Sequence, residues 1–545
     1  MIAKAGIVDL PVGPVTTPPA PRSDGHTIVI LGPLPPNGAP HLRTWIPFAR
    51  RSIVGFVGWP ARWSLLCALA LVSSCADEEP SRALDGETSS SEGELGETEA
   101  IFDLPNTGDG DGDGDPNTGD GDGDPNTGDG DGESYEPPLY PDDRVHSPIT
   151  PFVRDNLASI RSLAPAAPDD VFMKIGASST VNQSTLYCFA EGLVDLDIHE
   201  PTLGATLDYY LLGEAGGTTP FDRDTLAAQS GKTAAWAIEG SPSPVDQERA
   251  AIHPEGPALA LVHYGTNDMQ QGITYASAMP GYYASMSDLL DLLIDAGIVP
   301  IVFGISRRLD SQAADLWVQS YNAVARGLAQ ARSVPFIDLH LALEPLPGYG
   351  ISGDGIHLES FGGGPCILSP EGLTHGYNVR NLIALEGLER VYRSFVLDEE
   401  IGDAALVLEG LGDLAQPLEI PALPFADTNS TVTAPSIMLD VYSGCAAAQD
   451  ESGPENIYRL ELAQTTPIRA MVLDRAGVDV DIHVLDDSGS EQGCIARGDR
   501  LIELTLDPGV YYFSLDTYVN GMGEEQSGTY TFVVLACEAG DVDCL

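Results

Sequence analysis

The chain has 545 residues, too many for a single domain. Its 81 acidic and 26 basic side chains give a formal net charge of −55. A surface of that sign repels phosphate backbones and excludes nucleic acid as a partner. No run reaches the roughly 20 apolar residues of a membrane span.

Residues 64–73 (SLLCALALVS) form a shorter apolar run, preceded by Arg50, Arg51 and Arg62 and followed by Ser74 and Cys75. A basic flank, an apolar core and small residues make an export signal. The ending V-S-S-C resembles a bacterial lipobox. That resemblance implies lipidation of Cys75 and an exported outer-membrane or cell-surface lipoprotein, touching the membrane only through its anchor. The simpler alternative is a secretory signal cleaved nearby. Residues 50–75 are then the signal segment, and residues 1–49 an untranslated or disordered extension rich in Pro and Gly.

Residues 76–144 read as an acidic, disordered linker, with PNTGDGDG repeating at 105–112, 116–123 and 125–132. So much glycine and like charge cannot bury a core. Asp109, Asp111, Asp113 and Gly114 match the opening of a calcium loop. The twelfth position is Asp120 rather than Glu and no helices flank it, so a solvated spacer is expected.

Residues 145–398 alternate apolar runs with helical periodicity, which predicts βαβ units around a parallel sheet. Strands are expected at 171–175, 258–262, 298–305 and 335–339, and helices at 282–296, 315–331 and 378–396. Residues 204–224 read as irregular and 399–435 as a Pro-spotted connector. From 436 to 545, short alternating strands separated by turn residues predict an all-β sandwich.

Candidate chemistry lies at the strand ends. Ser178 follows the first strand between small residues, where it could expose its Oγ or simply cap a helix. The run at 259–268 (LALVHYGTND) carries Asn267 into a tight turn beyond a buried strand, the end at which open α/β sheets bind ligands. Asp354 and His357, three apart in a loop, could form a carboxylate–imidazole pair that takes a proton from a serine. The plainer reading is a loop histidine capped by its neighbour. Gly231, in a loop before a helix, and Asn267 could donate to an oxyanion.

The order G-x-S, Gly, G-x-N-D, D-x-x-H resembles the SGNH (GDSL-type) hydrolases over about residues 170–395. Tyr321-Asn322 and residues 336–339 (FIDL) fit the same pattern. The resemblance implies a flavodoxin-like αβα sandwich and ester hydrolysis through an acyl-serine, with no cofactor and no metal. Ser178 becomes the nucleophile, His357 the base and Asp354 its orienter. The Ser178 N–H, the Gly231 N–H and the Asn267 side chain become the oxyanion hole. Ala177 stands where the family usually has Asp, and Ser179 is a fallback nucleophile. Gly216 or Gly217 could take the place of Gly231. The substrate is expected to be an acyl or acetyl ester of a carbohydrate, lipid or small molecule, and the protein a monomer. A non-catalytic surface-binding lipoprotein on a degenerate scaffold is the alternative.

Six cysteines follow Cys75, and an even count in an oxidising compartment suggests disulfides. The expected pairs are Cys188–Cys366, pinning a Gly/Pro-rich insertion at 359–374, with Cys445–Cys494 and Cys537–Cys544. His263, His340 and His375 read as structural or exposed. The stretches at 457–460 (IYRL), 478–485 (VDVDIHVL) and 508–512 (PGVYY) resemble bacterial pre-peptidase C-terminal domains, which implies a non-catalytic accessory module. Asp479 and Asp481 read there as turn or surface carboxylates.

Overall fold

The apolar run before the G-T-N-D turn is the second strand of a four-stranded parallel sheet. The computed structural model describes residues 136–545 apart from 447, 448, 543 and 545. The expected signal segment, Cys75 and nearly all of the expected linker lie outside the described residues.

The sheet comprises β1 (Phe172–Gly176), β2 (Leu259–His263), β3 (Val299–Phe303) and β4 (Phe336–Ile337), in that order and all parallel. A single parallel bridge joins Gly176 to Ala228 on the free side of β1. Counted as a strand, it makes the chain order across the sheet 2-1-3-4-5. Every residue of β1, β2 and β3 is buried, which is why these strands read as apolar runs apart from Lys174 and His263. Helices pack in two groups. Pro151–Ser162 and Glu200–Leu211 contact Gly376–Phe395, while Tyr275–Asp295 contacts Gln312–Ala331.

The C-terminal region forms two antiparallel-rich sheets. Its strands are β5 (Leu418–Glu419), β6 (Phe425–Ser430), β7 (Glu455–Leu462), β8 (Thr466–Asp474), β9 (Val480–Leu485), β10 (Cys494–Gly498), β11 (Leu501–Leu506), β12 (Gly509–Thr517) and β13 (Thr529–Ala536). One sheet runs β10-β9-β12-β7-β5 and the other β11-β8-β13-β6. Alternate residues of both, such as Tyr458, Ile482, Phe513, Val472 and Phe532, meet in a shared core.

The second sheet is buried on its other face as well. Ala426, Met471, Leu473, Val533 and Leu535 join the α/β core, against the Gln312–Ala331 helix. Gly327 permits the close approach, since a Cβ there would sit 3.0 Å from that of Ala426. Arg469 lies fully buried in the contact. It pairs with Glu503 (2.6 Å) and Asp541 (2.8 Å), and its guanidinium stacks 3.7 Å over the Trp317 ring. Replacing Arg469 with methionine takes the cation from beside two carboxylates. It should lower stability by about 3–5 kcal/mol, read as a fall in Tm; an unchanged Tm would contradict this packing.

Several sequence expectations need correction. Residues 200–211 are a helix, not irregular chain; Pro201 and Gly204 disguise it. The stretch at 399–435 is more than a connector, since it supplies β5 and β6, whose prolines Pro417, Pro421 and Pro424 mask the strand pattern. The folded chain begins before 145: Leu139 and Tyr140 are buried between flanking prolines. Asp481 is 5% exposed rather than a surface carboxylate, because β9 is covered on both sides. Burial raises both Asp481 and its neighbour Glu451 above the usual carboxylate range, and the closeness of the two carboxyls raises Glu451 further. The six cysteines are bonded in the three expected pairs.

Candidate active site

Two strand ends and two loops supply the site at the C-terminal edge of the parallel sheet. Ser178 opens the short helix Ser178–Val181 directly after β1. As the first residue of a helical turn, its N–H has no intrahelical acceptor. Its Oγ lies 2.8 Å from Nε2 of His357. Nδ1 of the same ring lies 2.6 Å from Oδ2 of Asp354. The other Asp354 oxygen accepts from the backbone N–H groups of Ile356 and His357, both at 3.0 Å, and from the Ser352 hydroxyl at 2.8 Å. The hydrogen bond from His357, followed by these N–H groups, holds the Asp354 carboxyl well below the usual range. It stays ionised at any working pH and fixes the ring with Nε2 toward the serine. The pair remains open to solvent, with the His357 side chain 34% exposed.

Asn267 follows β2. Its amide donates to the Lys232 carbonyl at 3.0 Å. A primary amide carries two N–H donors, so that bond orients the group and leaves the second donor for a ligand. Ser178 and Asn267 line one small cavity with Ala177, Ser179, Gly265 and Thr266. Gly231 has φ +77° and sits beside the Lys232 that orients Asn267. Its loop is held at the end of β1 by the Gln229 N–H donating to the Gly176 carbonyl. Gly216 instead lies against Arg223 and Ala251. Ser179 lines the cavity, but the imidazole bond goes to Ser178.

Asp268 shapes the turn. Its buried carboxylate accepts from the Gly265 N–H at 2.9 Å and the Ala234 N–H at 2.8 Å. Burial raises its carboxyl from 3.8 to about 6 despite those bonds. Between these values the folded state holds a proton that the unfolded chain releases. The stabilising contribution is therefore complete below 3.8 and is lost as pH rises through about 6. The Tm of wild type minus that of Asp268→Asn is expected to fall between about pH 4 and 6; a flat difference would contradict the assignment.

Several supporting residues gave no sequence signal. Arg380, fully buried in the Gly376–Phe395 helix, donates to the Ser179 carbonyl, the Thr185 hydroxyl and Nδ1 of His263. Burial lowers Arg380 to about 10 and drives His263 well below its ordinary range. Asn378 and Asn381 of that helix bond the carbonyls of Gly364, Pro365 and Ile367, which seats the insertion that Cys366 ties to Cys188. His340 is buried and His375 packs its ring, tilted, against Phe361.

Residues 203–362 match the family model of the GDSL-like Lipase/Acylhydrolase family. The match contains Gly231, Asn267, Asp354 and His357 and begins after Ser178. That match supports classing residues 203–362 with the SGNH/GDSL hydrolases. Among solved structures, a GDSL-like lipase from Bacteroides thetaiotaomicron shares 16% identity over 44% of this chain and 99% of its own, with TM-score 0.26. An acetyl xylan esterase from Geobacillus stearothermophilus shares 14% over 41% and 95%, with TM-score 0.28. The pre-peptidase C-terminal domain of a Bacillus anthracis collagenase shares 20% over 21% and 91%, with TM-score 0.15. No curated protein sequence matches the chain.

Proposed function

We propose that this SGNH/GDSL hydrolase is an exported serine esterase with a flavodoxin-like catalytic domain, working through an acyl-serine intermediate. The observation that carries the reading is the continuous hydrogen-bonded line from Asp354 through His357 to Ser178. In the first step Ser178 Oγ attacks the ester carbonyl while His357 Nε2 takes its proton. Asp354 stabilises the resulting imidazolium. The oxyanion accepts from the Ser178 N–H and the second Asn267 N–H, which line one cavity, with the Gly231 N–H as the third donor that the family resemblance implies. Collapse expels the alcohol, which takes the proton from His357. Water then attacks the acyl-serine by the same route and releases the acid.

The small cavity beside Ser178 and the solvent-open acid–base pair support a short acyl group on a larger alcohol, such as an acetylated carbohydrate. A panel of 4-nitrophenyl esters from acetate to decanoate, with acetate release from acetylated polysaccharide, tests this. Highest kcat/KM on acetate supports the reading, and highest turnover on long chains would move it to a lipase. The lipid anchor at Cys75 rests on the sequence ahead of the described residues. Incorporation of an alkynyl fatty acid, lost in Cys75→Ser, is its test.

A further inference from the structure

We propose that Arg308 is a positioning residue, a buried tie that sets the spacing between the oxyanion turn and the acid–base turn. The inference rests on the esterase reading above. Arg308 follows β3 in a loop that contacts both turns and is 1% exposed. One guanidinium nitrogen donates to the Thr266 carbonyl at 3.0 Å, immediately before Asn267. It also lies 3.4 Å from the Met269 sulfur. The other edge grips Asp310 through two bonds of 2.8 and 2.9 Å. A planar fork of this kind fixes orientation as well as distance. The Asp310 N–H then donates to the Gly355 carbonyl at 3.1 Å, immediately after Asp354.

The contact with the acid–base turn is backbone to backbone. Gly355 has φ +78°, and a Cβ there would lie 2.6 Å from the Asp310 nitrogen and 2.9 Å from its Cα. Only glycine allows this approach. The loop carrying Arg308 is itself braced. Asp315 accepts the Arg308 N–H at 2.7 Å, and Asn322 bonds both the N–H and the carbonyl of Ile305. Arg308 thus spans the two turns from a fixed base. Without its fork, the Asn267 donor and the His357 ring lose their common reference, and a misplacement of about 1 Å can cost a hundredfold in rate.

The neighbouring Arg307 provides the control. It pairs with Asp315, Glu344 and Glu538, all outside the two catalytic turns. The test measures kcat and KM on 4-nitrophenyl acetate, with Tm, for the full chain and its variants. Arg308→Met should lower kcat about 100-fold with KM within about threefold of wild type. Arg308→Lys, which keeps the charge without the fork, should lose about tenfold. Asp310→Asn, at a partly exposed site that tolerates change, should lose about tenfold and serves if Arg308→Met does not fold. Arg307→Met should shift Tm and cost kcat no more than about threefold, since Asp315 keeps its bond from the Arg308 N–H.

The decisive readout is a double-mutant cycle. In an Asn267→Ala background Arg308→Met should cost less than about tenfold, because the donor it positions is gone. Folded Arg308→Met and Asp310→Asn with wild-type kcat would overturn the tie, as would a full loss in the Asn267→Ala background, while the esterase reading stood. An inactive, folded wild type would overturn both.

Discussion

Replacing Ser178 with alanine is expected to lower kcat by a factor on the order of 10^6, with KM little changed. The serine oxygen is the atom that forms the intermediate, so no neighbouring group can compensate for it. His357→Ala should cost about as much, and the double variant scarcely more, since the two residues act as one unit. Some acceleration over water should survive in each, because the oxyanion donors and substrate contacts remain. The measurement is initial-rate hydrolysis of 4-nitrophenyl acetate. Retention of a tenth of the activity in Ser178→Ala would point to Ser179, which lines the same cavity.

Replacing Asn267 with alanine should lower kcat about 10^2- to 10^3-fold and leave KM within about threefold. The asymmetry follows from where the charge develops. The carbonyl oxygen becomes an anion only as the serine attacks, so the amide contributes most at the transition state. The Lys232 carbonyl pre-aligns that amide, so little reorganisation accompanies the reaction. A variant that raised KM instead would assign Asn267 to ground-state binding.

The residues of the candidate site were legible because their contacts are local or sit at strand ends. Asp354 and His357 are three residues apart and meet within one turn, so their pairing needs no knowledge of the fold. Asn267 follows a fully buried strand whose apolar run marks it. The distance from Ser178 to His357 in sequence could be closed only by family resemblance, and the 2.8 Å contact between them is tertiary. Arg308, Arg380 and Asn381 were invisible for the complementary reason. Each bonds backbone groups far along the chain, and an arginine or asparagine of that kind carries no pattern.

The contact between the β-rich region and the α/β domain was also hidden. The Gln312–Ala331 helix buries a second face through small or polar residues, Ser320, Ala323 and Gly327, where an apolar stripe would have signalled it. Residues 425–430 escaped notice because Pro421 and Pro424 precede them and Asp427, Asn429 and Ser430 break the apolar alternation.

Labelling with a fluorophosphonate, followed by peptide mass mapping, tests the central claim most directly. The reagent reacts with a serine whose proton a neighbouring base can take. One adduct on Ser178 in the wild type, absent from Ser178→Ala and His357→Ala, is the predicted result. A folded wild type that takes no label, or Ser178→Ala labelled as fully as wild type, would contradict it.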